Sequence, residues 1–476
     1  MTIRSYFALG LAWLGLAPWA FSQAPGKDAR ALAAFTKALQ QDAFDVNPGA
    51  AFPMNLVQRW CTDTLPSWLP FNHALYSNSQ PYLVVGVPKS ASEPEPTKVS
   101  PLFQLGSEEA IVVIGLTPPP ERYYGIYAFL RTRWNPDQGI RQPLWATLGD
   151  AVNKATVKTT GHTPFNSPVA VIFTSDQGTE ARVRAALERA GYPAAIINTI
   201  VFPASILNLG HSDTADEFII AIRNAMWQNQ TDGDAYIQNP PLHVFRVTPR
   251  TETTGSPFPL PLLRVRGTGQ SEMALSEKLD LLRQRILAAN SGLYRRDVAT
   301  QIAGYEGYDY IQRGIDPWGD ARDALYLTGG YVPEFGSTDE ITLADDEFLM
   351  IYGANHVATG KATYHSVNVY SSKEGKVPVG SAEDPAFSDS ATQYLFDDPA
   401  AAKLMYAIKV SRNCGQEPNC VPLAIANCSK LTIGPNTVLG LFFRLYLEPA
   451  TKVGPVMPEI LYDRVIKFSP RPPAQQ

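Results

Sequence analysis

"YLVVGVP" at residues 82–88 and "YLTGGYVP" at residues 326–333 decide how this chain is read. Each is a Tyr-Leu run of branched and aromatic residues that ends in Val-Pro. Proline lacks the amide that a strand ladder needs, so it marks where such a run stops. The segments after each stretch recur in the same order. "EEAIVVIG" (108–115) and "DEFLMIYG" (346–353) both set two acidic residues before an apolar run that closes on glycine. A turn comes next, then "RYYGIYAFLRTR" (122–133) in one copy and "KATYHSVNVY" (361–370) in the other. "PVAVIFTSD" (168–176) and "KLMYAIKVS" (403–411) agree more loosely. An Arg-Val strand between prolines closes each copy, in "PLHVFRVTPR" (241–250) and "PEILYDRVIKFSPR" (458–471).

Self-similarity at long spacing is the mark of a repeated module. The chain is therefore expected to be a mixed, β-rich α+β protein of two related halves that arose by internal duplication. The expected layout is a signal peptide over 1–22, an N-terminal segment over 23–75 and a first β-rich half over 76–250. A Pro-rich linker with a connecting helix spans 251–295, a second β-rich half 296–471 and a tail 472–476.

The linker "TETTGSPFPLPLL" (251–263) contains too much proline for continuous secondary structure. Beyond "RVRGTGQSE" (264–272), read as linker plus helix start with Ser271 as the cap, a helix is expected from Ser271 to about Ala289. Its Leu275, Leu279, Leu282 and Ile286 share one face, and it is expected to pack across or between the halves. In the first half the strand Val169–Thr174, a helix in "GTEARVRAALERAGYP" (178–193) that ends at Gly191 before Pro193, and the strand-like 195–203 form a β–α–β pattern. A second helix is expected over about 216–227, with Thr214 and Glu217 as its capping box.

Near the start, Arg4 precedes an apolar stretch from Tyr6 to about Phe21, with small residues at 20, 22 and 24. That pattern resembles a secretory signal peptide, so the expected location is secreted or periplasmic, with no stable membrane insertion. Four cysteines suit an oxidising compartment, and the short loop "CGQEPNC" makes Cys414–Cys420 the first pairing to expect, with zinc binding the weaker alternative. A net charge of −5 without a basic run argues against nucleic acid. With 40 prolines and 34 glycines among 476 residues, turns should be abundant.

Chemistry is sparse in the motifs. "ANHVATGKATYH" (354–365) brings two of the six histidines into the second half, where the first half has "LTPPPERYYG". His356 could act as a general base, and His356 with His365 could hold a divalent metal with Asp346 or Glu347. The spacing matches no established metal motif, so a solvated turn at His356 and a half-exposed strand at His365 are the simpler account. His211 and Asp213 precede the expected 216–227 helix and form a second catalytic candidate, although capping explains that segment equally. Arg122, Tyr123 and Tyr124 could form a platform for a sugar or aromatic ligand. Paired acids in "GDAVN" (149–153) and "WGDARDALY" (318–326) could serve acid–base catalysis, but each reads more simply as a loop or an exposed helix start.

Two functions remain open on these grounds. One is an exported enzyme, hydrolytic by compartment, acting on a small-molecule or polymer substrate in the cleft between the halves. The other is a non-catalytic binding protein for a carbohydrate or another apolar-faced ligand.

Overall fold

The computed structural model describes residues 25–54, 61, 81–90, 93, 99–161, 163–251, 254–304, 306–374, 376–424, 428 and 430–472. The expected signal peptide lies outside them. Helix α1 (Pro25–Gln41) leads into β1 (Phe44–Pro48), β2 (Ala50–Pro53), β3 (Tyr82–Pro88), β4 (Val99–Ser100), β5 (Ala110–Leu116), β6 (Glu121–Asn135), β7 (Ile140–Thr147) and β8 (Val152–Asn153). Then come β9 (Pro168–Thr174), α2 (Gln177–Arg189), β10 (Ile197–Val201), β11 (Glu217–Trp227), α3 (Gln230–Gln238) and β12 (Leu242–Pro249). After the linker, α4 (Ser276–Ala289) opens a second series: β13 (Tyr294–Val298), β14 (Thr300–Ile302), α5 (Gly307–Arg313), β15 (Ala324–Val332), β16 (Ser337–Thr338), β17 (Phe348–Ala354) and β18 (Tyr364–Ser371). It ends with β19 (Val377–Glu383), α6 (Pro399–Leu404), β20 (Met405–Ser411), β21 (Cys420–Pro422), β22 (Leu439–Tyr446) and β23 (Arg464–Ser469).

These strands form four sheets, so the mixed, strand-rich α+β class holds. The first half has an outer sheet ordered β1-β12-β5-β9-β10 and an inner sheet ordered β2-β3-β11-β6-β7. The second half has an outer sheet β13-β23-β17-β20-β21 and an inner sheet β14-β15-β22-β18-β19. The strand orders of the two halves are the same. Pairing is antiparallel except at one edge of each outer sheet, where β10 runs parallel to β9 and β21 to β20. The expected β–α–β unit is the first of these edges.

Alternation of side chains across each strand sets the layers. Val85, Ile126 and Ile220 of the first inner sheet meet Ile111, Val171 and Val244 of its outer sheet. Leu327, Val367 and Phe443 meet Leu349, Ile408 and Val465 in the same way in the second half. Helices α1 and α2 cover the first outer sheet through Phe35, Leu39, Val183 and Leu187. Helix α4 covers the second outer sheet with Leu279, Leu282 and Ile286, so it lies on the outside and not between the halves as expected. The two inner sheets face each other, with Tyr123, Tyr127 and Ile219 against Tyr364, Tyr446 and Leu447.

Laying Tyr82 on Tyr326 brings the central ladder pairs of the inner sheets into the same register. Tyr82 faces Arg223 and Tyr326 faces Arg444. Arg223 in turn faces Gly125, and Arg444 faces Ser366, so Tyr123 and Tyr124 take the places of Tyr364 and His365. In the outer sheets Ile111 faces Arg246 and Leu349 faces Lys467. The counterpart of Arg246 is therefore Lys467 and not the arginine of the second Arg-Val pair, and Leu242 corresponds to Asp463. The Tyr-Leu stretch at Tyr326 is one residue longer before its Val-Pro than that at Tyr82, and its Gly330 takes φ +67°, which glycine adopts freely.

The helix expected over 216–227 is instead strand β11, the centre of the inner sheet. Phe218, Ile220 and Ile222 point into the sandwich while Ile219, Ala221 and Ala225 point towards the other half. A strand buried on both faces shows no polar alternation, which is why its sequence misleads. Thr214 and Glu217 cap nothing; the Glu217 carboxylate accepts from Thr132. Cys414–Cys420 pair as expected, and Cys61 pairs with Cys428 across 367 residues of sequence. Closing so long a loop restricts the unfolded chain and adds roughly 2–5 kcal/mol of stability. Among the described residues no helix is long and apolar enough to cross a membrane.

Candidate functional site

The joint between the halves is polar as well as apolar. Asp323, just before β15, accepts from the Tyr123 hydroxyl at 2.9 Å, the Tyr127 hydroxyl at 3.2 Å and the Asn153 amide at 3.0 Å, all from the first half. Asp320 accepts from the backbone and hydroxyl of Thr147 at 2.8 and 2.7 Å. Burial pushes both carboxyls up to about 6, against the pull of these donors.

Beside this joint lies a cavity of about 230 Å³. Tyr82 and Arg223 line it from the first half, and Tyr326, Arg444, Tyr446 and Trp318 from the second. Tyr82 with Arg223 is the ladder equivalent of Tyr326 with Arg444, so the cavity takes the same two residues from each half. Arg223 is 5% exposed and donates to the Tyr326 and Tyr446 hydroxyls at 2.9 and 3.0 Å. Its guanidinium carbon sits 5.1 Å from the ring centroids of Tyr82 and Tyr127. Among the described residues no carboxylate lies within ion-pair distance of it, and its Nε has no hydrogen-bond partner. A buried cation held only by phenols and ring faces is an attractive place for an anion.

A second cluster closes one end of the second half. His356 follows β17, His365 lies on β18, Asp463 precedes β23, and Glu272 stands in a single 3-10 turn before α4. His356 and His365 are both 0% exposed, so neither the solvated turn nor the half-exposed strand expected for them exists. Their rings meet edge to face with centroids 4.7 Å apart. The His356 Nδ1 bonds Glu272 at 2.9 Å, and its Nε2 lies 3.5 Å from Asp463 Oδ2. The Tyr406 hydroxyl donates to Asp463 Oδ1 at 2.5 Å. Burial opposes charge on His356, but the Glu272 and Asp463 carboxylates outweigh it and hold the imidazole up at about 10. Burial dominates at His365 and pushes it down to about 3. Glycine at 353 makes the cluster possible, because a Cβ there would sit 2.7 Å from Asp463 Oδ1.

The other sequence candidates are dispersed. Glu347 was the expected carboxylate partner of His365, but it stands before β17 while His356 follows it. A seven-residue strand puts those ends about 20 Å apart. Glu347 instead pairs with Lys467 at 2.8 Å, and Asp346 pairs with Arg471. The carboxylate beside both histidines is Asp463, 3.5 Å from His356 and 3.8 Å from His365. His211 lies 3.2 Å from Glu109 in the first half, and Asp213 is exposed. Arg122 is exposed, Tyr124 donates to the Pro164 carbonyl at 2.7 Å, and only Tyr123 reaches the joint. None of the three lines the cavity.

Sequence reasoning missed Arg223, Arg444, Glu272 and Asp463, and set Asp323 aside as part of a loop or exposed helix start in "WGDARDALY". A signal existed for the arginines: each is a single charge inside an apolar run, in "FIIAIRNAMW" and "LGLFFRLYL". Asp463 and Glu272 gave none, since their partners are remote in sequence.

No protein-family model matches the chain, and no curated protein does. Among solved structures, the VPA0106 protein of Vibrio parahaemolyticus is 12% identical over 93% of this chain and 100% of its own, with a TM-score of 0.38. An uncharacterized protein from Burkholderia cenocepacia is 10% identical over 94% of this chain and 90% of its own, also with a TM-score of 0.38. Likeness of that strength carries no functional argument.

Proposed function

We propose that this chain is an exported binding protein whose cavity between two duplicated halves takes up a small ligand with an anionic group and an apolar ring face. Acidic sugars combine both features. The observation that supports this most directly is Arg223, buried in the cavity wall with two tyrosine hydroxyls and, among the described residues, no acid. Tyr82, Tyr326 and Trp318 supply ring faces, and Arg444 adds a second guanidinium. The two disulfides favour an oxidising compartment.

Hydrolysis is less well supported. His356 and His365 are sealed in the second half and do not line the cavity, which leaves a general-base role without a route to substrate. Titration calorimetry with uronic acids, matched neutral sugars and aromatic carboxylates tests the binding reading. Binding of the anionic compounds, weakened at least tenfold by Arg223→Gln, is the expected result. Equal affinity of wild type and R223Q for every ligand would defeat it.

A further inference from the structure

We infer that His356, His365 and Asp463 form a buried site for a divalent transition-metal ion, with zinc the best match. Four polar atoms of these residues have no hydrogen-bond partner: His356 Nε2, both ring nitrogens of His365, and Asp463 Oδ2. Buried polar atoms of folded proteins are almost always satisfied, so four such atoms on three neighbouring residues need an explanation. One donor atom from each residue can be chosen so that all three lie within 4.8 Å of one another. The His356 Nε2–Asp463 Oδ2 and His365 Nε2–Asp463 Oδ1 separations are 3.5 and 3.8 Å. Ligands bonded to zinc at about 2.0–2.1 Å in a tetrahedron stand roughly 3.3 Å apart, so a small inward movement completes the set.

The surroundings are arranged as a metal site requires. Glu272 accepts at His356 Nδ1, which leaves the lone pair on Nε2, the atom facing Asp463. Glu272 is itself held by the Leu461 amide at 2.9 Å, and Tyr406 fixes the other oxygen of Asp463. Two imidazoles and a carboxylate suit zinc, and the same trio with open positions would suit ferrous iron. Here all three residues are 0% exposed, so the ion would be shielded from bulk solvent, with a water molecule in the fourth tetrahedral position. The ion would tie together β18, the turn after β17, the approach to β23 and, through Glu272, the start of α4.

The competing arrangement is a protonated His356 shared by Glu272 and Asp463 with no ion. The two differ in metal content. The full-length chain is produced in zinc-supplemented medium, purified without chelator and analysed by elemental mass spectrometry. One zinc per chain is expected, with a melting temperature that falls on chelation and recovers with zinc chloride. Cobalt chloride added to the stripped protein should give the visible absorption of tetrahedral Co(II). Because His365→Gln could fail to fold, Glu272→Gln provides a milder variant, expected to bind zinc about 10–100-fold more weakly. Metal-free protein whose melting temperature ignores both chelator and zinc would overturn the inference.

Discussion

The two halves carry an acid–base pair at the same ladder position and use it differently. In the first half Glu109 takes Arg246 at 2.8 Å, Thr248 at 2.6 Å and the Gly106 amide at 2.8 Å, while Glu93 holds Arg246 from the other side at 2.8 Å. Arg246 is fully buried there. In the second half Glu347 takes Lys467 at 2.8 Å and the Ala344 amide at 2.9 Å, with both side chains partly exposed. At the opposite end of the sheets the contrast reverses. The first half has Leu242 and Tyr124 where the second has Asp463 and His365. One scaffold thus tolerates buried charge at either end, provided that fixed partners surround it. A guanidinium fork satisfies several acceptors at once, whereas an ammonium suits a wetter site.

The sharpest way to break this comparison is to remove the base from each pair. Arg246→Met leaves Glu109 and Glu93 buried without their cation and should cost about 3–5 kcal/mol in urea denaturation. Lys467→Met should cost about 1 kcal/mol or less, because water reaches that pair. Equal losses would mean that the two sites are energetically alike.

Next in size is the pH response of the joint. Asp320 and Asp323 hold their protons up to about pH 6, whereas the unfolded chain releases them near 3.8. Folded protein therefore binds more protons between these values, and both groups make stability fall as pH rises from about 4 to 6. Asp323→Asn should remove about half of that decline, on the order of 1–3 kcal/mol, when denaturation midpoints of wild type and variant are compared across the window. Parallel profiles would show that the carboxyl is already ionised in the folded joint. The smallest effect is expected at Tyr124, the counterpart of His365. Tyr124→Phe loses one hydrogen bond, to the Pro164 carbonyl, and should cost about 0.5–1.5 kcal/mol without altering metal content.

The strands on either side of the repeated stretches were legible because branched and aromatic runs bounded by proline or glycine are local signals. The Cys414–Cys420 bridge and the β–α–β edge were legible for the same reason. Strand β11 was not, since burial on both faces removes the alternation that identifies a strand. The histidines were noticed as additions to one copy, but their burial was invisible. A turn in "GANHVATGK" reads as solvent-facing until Glu272 and Asp463 arrive from distant segments to enclose it.

Residue type and short-range order by themselves determined a strand-rich chain with a recurring succession of elements, because backbone propensity and turn chemistry act over a few residues. Which groups meet was decided only by tertiary structure. Facing the two inner sheets placed Arg223 beside Tyr326 and Tyr446, and closing the second sandwich placed Asp463 against His356. Both juxtapositions depend on sheet order and layer packing, which bring together residues that no local pattern connects.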